Sequence, residues 1–133
     1  MPNSLSFDIT YQYPDNKIGI TIPVALHYGN KSYKSVGKVD TGAGYCLFSN
    51  EIATFLDIPI EQGLYGAFDT PGGTIEGFGH EITLETFGLS VTSFIYFARY
   101  PGLRRNLLGR IGWLRNLRMG LVDYDSTIYL NSY

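Results

Sequence analysis

The chain has 133 residues, 44% of them hydrophobic and only 17% charged, with a formal net charge of −2. That is enough chain for one domain around one core, and too few charges for a disordered segment. The balance offers no general attraction for nucleic acid or an anionic membrane, and no run approaches the ~20 apolar residues of a membrane span.

Sixteen glycines and eleven tyrosines favour short strands and tight turns over long helices. Leu5–Tyr13 alternates apolar with polar residues and predicts a half-buried strand. Pro14–Lys17 is a turn. Ile18–Tyr28 predicts a second strand, whose Pro23 implies an edge or a bulge. After a turn at Gly29–Ser32, Tyr33–Val39 runs back as a meander and delivers Asp40. Tyr45–Phe48 reads as a short buried strand. Ser49–Leu56 reads as a helix, with Ser49 as N-cap and Ile52, Phe55 and Leu56 on one face, stopped by Pro59.

From Ile60 to Leu89 the sequence predicts a long glycine-rich hairpin. Leu64–Asp69 leads up, Thr70–Thr74 forms the tip and Ile75–Leu84 leads down. It reads either as an ordinary flexible hairpin or as a mobile cover over a cleft. Phe94–Ala98 is a central strand, Pro101-Gly102 a turn and Leu107–Gly109 a short strand. Ile111–Leu117 suits a short helix with Trp113, Leu114 and Leu117 on one face. Met119–Tyr124 and Thr127–Leu130 close the chain as strands around a turn at Asp125-Ser126.

The lone Cys46 excludes an internal disulfide and a multi-cysteine metal site, and reads as a small buried hydrophobe. His27 and His80 stand apart without ligand spacing, so no metal or other cofactor is expected. All six arginines fall between Arg99 and Arg118. Such a run is read first as a solvated face and second as an anion or RNA patch, so nucleic acid is not the expected partner. The N-terminus has neither a basic nor an apolar leader segment, so a cytoplasmic location is the expectation.

One stretch organises the rest: Val39-Asp40-Thr41-Gly42-Ala43-Gly44. A carboxylate, a hydroxyl and a nearly bare backbone follow a buried strand, as expected where an acid is held rigidly and a ligand comes close to the main chain. A second stretch, Asn106-Leu107-Leu108-Gly109-Arg110, lies beyond the hairpin.

Together these pieces resemble the retropepsin-like aspartic peptidases of the bacterial type, single-domain relatives of retroviral proteases, over about Ile18–Leu130. Val39–Ala43 matches the family's hydrophobic-Asp-Thr-Gly-Ala loop, and Leu107–Arg110 its second element. The glycine-rich hairpin, about residues 63–82, lies where the family's flap belongs. The resemblance implies an all-β chain with one or two short helices, a closed acid-protease barrel with one lobe per chain, spanning residues 1–133 as a single domain. It implies hydrolysis of peptide bonds in an extended peptide or protein substrate.

It also implies roles. Asp40 would be the catalytic acid, with the alternative that it only caps its own turn. Thr41 would tie two such loops together, and Gly42 would admit the substrate backbone. Ala43, Gly44 and Tyr45, with Thr70, Pro71, Gly72, Gly73 and Thr74 of the hairpin, would bind substrate. Leu107, Leu108, Gly109 and Arg110 would support the site. The chain has a single Asp-Thr-Gly, since Asp69-Thr70-Pro71 and Asp125-Ser126-Thr127 lack the glycine. The second aspartate is therefore expected from another copy, in an obligate homodimer.

Two departures stand out. Gly44 occupies the position where retroviral enzymes commonly carry an aspartate paired with the second element's arginine. Arg110 must then turn to Glu51, Asp123, Asp125 or a backbone carbonyl. The hairpin is also longer and carries Pro71 before its glycines. A catalytically weak module that binds peptides or dimerises, and a basic-faced RNA-binding domain, are the competing readings.

Overall fold

In the computed structural model, which describes residues 2–133, the chain forms β1 (Ile9–Gln12), β2 (Thr21–Tyr28), β3 (Lys31–Val39), β4 (Leu47–Phe48), α1 (Asn50–Phe55), β5 (Leu64–Thr70), β6 (Gly73–Thr86), β7 (Leu89–Ala98), β8 (Asn106–Leu108), β9 (Leu117–Val122) and β10 (Thr127–Ser132). Six strands close a barrel. They run β2-β3-β8-β4-β7-β6, and β2 then pairs back onto β6 through Ala25↔Glu85, Leu26↔Leu84 and His27↔Thr83. Closure leaves no wall strand with an open edge at these positions. β5 lies outside the ring, paired only with β6, and β1-β10-β9 form a separate three-stranded sheet.

Period-two patterning directs the packing. Along β2, Ile22, Val24 and Leu26 point inward and are buried, while Pro23 is exposed. Pro23 is tolerated because β2 meets β6 only from Ala25 onward, so at Pro23 the strand is an edge. Phe48, Phe97, Leu108 and Trp113 join Ile128 and Leu130 of the small sheet in one continuous core. Burying each large apolar side chain contributes roughly 1.5–3 kcal/mol. Among the described residues no helix is long and apolar enough to cross a membrane.

Several expectations need correction. The first strand is limited to Ile9–Gln12, because β10 offers ladder partners to those four residues and no others. Leu5 is exposed. α1 forms on its Ser49 cap and buries Ile52, but Phe55 is turned outward, where it meets Tyr33 edge-on at 5.2 Å. The hairpin turn is tighter than expected. Thr70 already pairs with Gly73, leaving only Pro71-Gly72 between the strands.

The expected helix at Ile111–Leu117 reduces to one 3₁₀ turn, Leu114–Asn116. Gly112 has a φ of +103°, which breaks helical continuity, and Ile111 instead bridges to Tyr45. Trp113 still reaches the core, where its indole N–H donates to Thr86 Oγ1. The next strand accordingly starts at Leu117, and Asp123–Asp125 form a 3₁₀ turn in place of its expected end.

Candidate active site

Asp40 stands one residue past β3. That strand runs parallel to β8 with Val39 opposite Leu108, and the Asp40 N–H extends the ladder by donating to the Leu108 carbonyl at 3.0 Å. The chain then turns sharply. Ala43 N–H donates to the Asp40 carbonyl at 3.1 Å, and Gly42 N–H donates to Asp40 Oδ1, also at 3.1 Å. One carboxylate oxygen is thus fixed by its own loop while the side chain stays half-exposed. Thr41, Gly42, Gly44 and Tyr45 are exposed beside it.

The second stretch braces this loop from below. Arg110 N–H donates to the Ala43 carbonyl at 2.9 Å, and Ile111 N–H to the Gly44 carbonyl at 2.8 Å. β8 lies between β3 and β4, so Leu107 opposes both Lys38 and Leu47. Gly109 sits where the two stretches cross, and a Cβ there would collide with the carbonyls of Ala43 and Tyr45. The hydrophobic-hydrophobic-glycine order follows. Leu108 fills the core, and the glycine lets one backbone pass against the other.

The side chain of Arg110 is exposed, and none of Glu51, Asp123 or Asp125 lies within 4 Å of it. Asp123 instead accepts a hydrogen bond from the Tyr13 hydroxyl. Arg110 meets the Asp40 loop through its main chain.

Cys46 lies under the crossing and is fully buried. Its sulfur accepts from Gly109 N–H at 3.3 Å, and burial pushes its thiol up to about 12. Burial thus disfavours the thiolate, the form that acts as a nucleophile. His27 bridges Ser32 and Glu85, and His80 Nε2 bonds the Ile60 carbonyl. No group of three or more metal-ligating side chains assembles among the described residues.

The hairpin of β5 and the first half of β6 rises beside these loops. Phe68 and Ile75 pack on Leu47, Tyr96 and Ala98. Tyr96 gathers an aromatic cluster, with Phe68 at 4.8 Å and Tyr45 and Phe94 each at 5.2 Å, all edge-on. Tyr45 therefore links the Asp40 loop to the hairpin. Lower down, the Tyr65 hydroxyl donates to Glu76 at 2.7 Å, which raises the phenol above its ordinary value, and Arg99 reaches Glu76 at 3.4 Å.

Between the hairpin tip and residues 100–105 lies a cavity of about 660 Å³. Thr70, Gly72, Gly73 and Thr74 line one side, Leu103, Arg104 and Arg105 the other, with Leu47, Ala98 and Leu107 among its apolar lining and Lys38 alongside. A larger depression of about 840 Å³ around Tyr13, Asp15 and Asp125 is shallow and more open, and neither loop lines it.

Compared with solved structures, the chain is similar to a retropepsin-like aspartic protease from Rickettsia conorii, at 19% identity and a TM-score of 0.64, covering 92% of this chain and 97% of that one. It is also similar to the EIAV protease complexed with the inhibitor HBY-793, at 19% identity and a TM-score of 0.54, covering 73% and 86% of the two chains. The chain has the retropepsin fold. No protein-family model and no curated protein matches the sequence.

Within this retropepsin fold, Asp40, Thr41, Gly42, Ala43, Gly44 and Tyr45 lie in one loop, to which Leu108, Arg110 and Ile111 are bonded through the main chain. Of the hairpin residues named from the sequence, Thr70, Gly72, Gly73 and Thr74 line the cavity, and Pro71 does not. Lys38 and Leu103, which the sequence did not single out, also line the cavity, as do Arg104 and Arg105, expected as a solvated face or an anion or RNA patch. Lys38 carried a usable signal, because strand alternation puts residue 38 on the same side as residue 40.

Proposed function

We propose that two copies of this chain form an aspartic endopeptidase, each supplying Asp40. The observation that carries this reading is the carboxylate of Asp40, held on one oxygen by Gly42 N–H and half-exposed at the head of two cross-braced loops. Two such carboxylates about 3 Å apart, as in aspartic proteases generally, cannot both ionise and share a proton. The ionised one takes a proton from a water that attacks the scissile carbonyl. The protonated one donates to the carbonyl oxygen and recovers that proton when the tetrahedral intermediate collapses, while the proton taken from water passes to the leaving amine.

The hairpin is proposed as the cover over this centre. Its outer strand, β5, pairs on one side only, so its free backbone groups suit an extended peptide bound by strand addition. Gly42 and Gly44 leave the floor open to a main chain, and Thr41 is proposed to join the two loops across the symmetry axis.

The decisive experiment is Asp40→Asn. The amide keeps an oxygen for Gly42 N–H, so fold and dimer mass should stay unchanged while cleavage of a peptide library falls at least roughly 10²–10⁴-fold. Equal inertness of wild type and variant, with peptide still bound, would favour a module that holds peptides without cutting them.

A further inference from the structure

We infer that the cavity between the hairpin tip and residues 100–105 is a subsite for an acidic side chain, glutamate above aspartate, and that Arg104 and Arg105 select it. The inference rests on the peptidase reading and names its substrate class. Its lining combines two chemistries. Leu47, Ile75, Ala98, Leu103 and Leu107 offer an apolar surface for a methylene stem. Arg104, Arg105 and Lys38 add three cations, in a molecule whose net charge is −2.

Among the described residues, none of the three lies within 4 Å of a carboxylate. Among the described residues the only carboxylate in the lining is Glu76, already engaged by the Tyr65 hydroxyl and Arg99. An incoming carboxylate would therefore meet free guanidinium groups without a competitor. A fork-shaped guanidinium is suited to binding both oxygens at once. The same three residues also line a neighbouring cavity of about 460 Å³ against Thr21, Ser35 and Val36, so the positive charge forms a wall with two faces.

The location connects this wall to the reaction. Lys38 lies two residues before Asp40 on the same strand side, and Leu107 is its register partner on β8. A peptide whose backbone crosses the Asp40 loop would have a neighbouring side chain within reach of the cavity. A lysine or arginine there would meet like charge, and selectivity would come from that repulsion as much as from attraction.

The test uses a degenerate decapeptide library in two arms: cleavage by wild type, and capture by Asp40→Asn, each read by mass spectrometry. Glutamate should be enriched roughly two- to fivefold at one position in both arms, as expected for an exposed guanidinium–carboxylate pair. The enrichment should vanish in Arg104→Gln/Arg105→Gln, turn to lysine and arginine in Arg104→Glu/Arg105→Glu, and persist in Arg118→Gln. Cleavage without acidic enrichment, or enrichment that survives the double glutamine variant, overturns the inference and leaves the peptidase reading standing. Acidic-enriched capture without cleavage supports the subsite and overturns hydrolysis. Peptides neither captured nor cut overturn both. Retention of a ~20-nucleotide RNA that depends on the two arginines, with no acidic bias among peptides, assigns the wall to nucleic acid and overturns the inference.

Discussion

Gly109 illustrates how one absent side chain holds two loops in register. Because its missing Cβ would enter the space of the Ala43 and Tyr45 carbonyls, Gly109→Ala should force the braces apart. We expect a loss of about 2 kcal/mol or more in urea unfolding, from overpacking against backbone that cannot yield, with activity lost earlier than fold. Tyr13 gives a pH signature. Burial first and the hydrogen bond to Asp123 second push its phenol up to about 12, against an ordinary value of 10.0. The folded state therefore favours the protonated phenol, so this stabilisation is complete below pH 10 and fades as pH rises towards 12. In urea melts, wild type should exceed Tyr13→Phe at neutral pH, and the gap should close across that window. Asp40, Gly42 and Gly109 were legible in the sequence because each answers a local demand of charge or of empty space. Arg104 and Arg105 were legible only as cations in a run, because the cavity they line is completed by a hairpin tip some thirty positions away in the chain.

Among elements, the hairpin was the easiest to find and the hardest to delimit. Its glycines marked the turn, but Thr70 and Gly73 pair, so the ladder runs almost to the tip. The region at Ile111–Leu117 was misread for a physical reason. Trp113, Leu114 and Leu117 have helical spacing, yet Gly112 adopts a φ that no helix continues, and Trp113 reaches the core from an irregular turn. What keeps the hairpin against the barrel is the aromatic cluster around Tyr96. Phe68→Ala removes its closest ring contact, at 4.8 Å. The expected result is faster amide exchange across residues 64–76 with exchange of β2 and β7 unchanged, and a higher KM with kcat less affected. Uniform acceleration throughout the barrel would mean that the ring serves the core and not the hairpin.

At the scale of the whole molecule, the alternation of apolar residues announced strands and the resemblance implied a barrel, but the closure through β2 and β6 could not be read from either strand alone. Nor does one chain contain a second Asp-Thr-Gly. If the working unit is two chains, specific activity per chain must fall on dilution as the pair dissociates. Activity should then track the dimer fraction measured by sedimentation at each concentration. Activity that stays constant per chain in samples sedimenting as monomer would refute the shared centre. Mixing wild type with excess Asp40→Asn should depress activity further than dilution alone, because mixed pairs hold one competent acid.

β6 belongs to both the wall and the hairpin. Gly77–Thr86 is bonded to β7, whereas Gly73–Glu76 has its ladder partners on β5 and meets the barrel through Ile75 and the Glu76–Arg99 contact. The ribbon is thus a beam clamped at one end, with no loop at the root of β6 to act as a joint. The root is crowded. Side chains added at Gly77 or Gly79 would run into the Phe97 carbonyl or the Phe94 ring. Any travel of the tip would combine flexure of the ribbon with release of the Phe68–Tyr96 contact, so bending stiffness and that contact together would govern how quickly a chain is admitted and released.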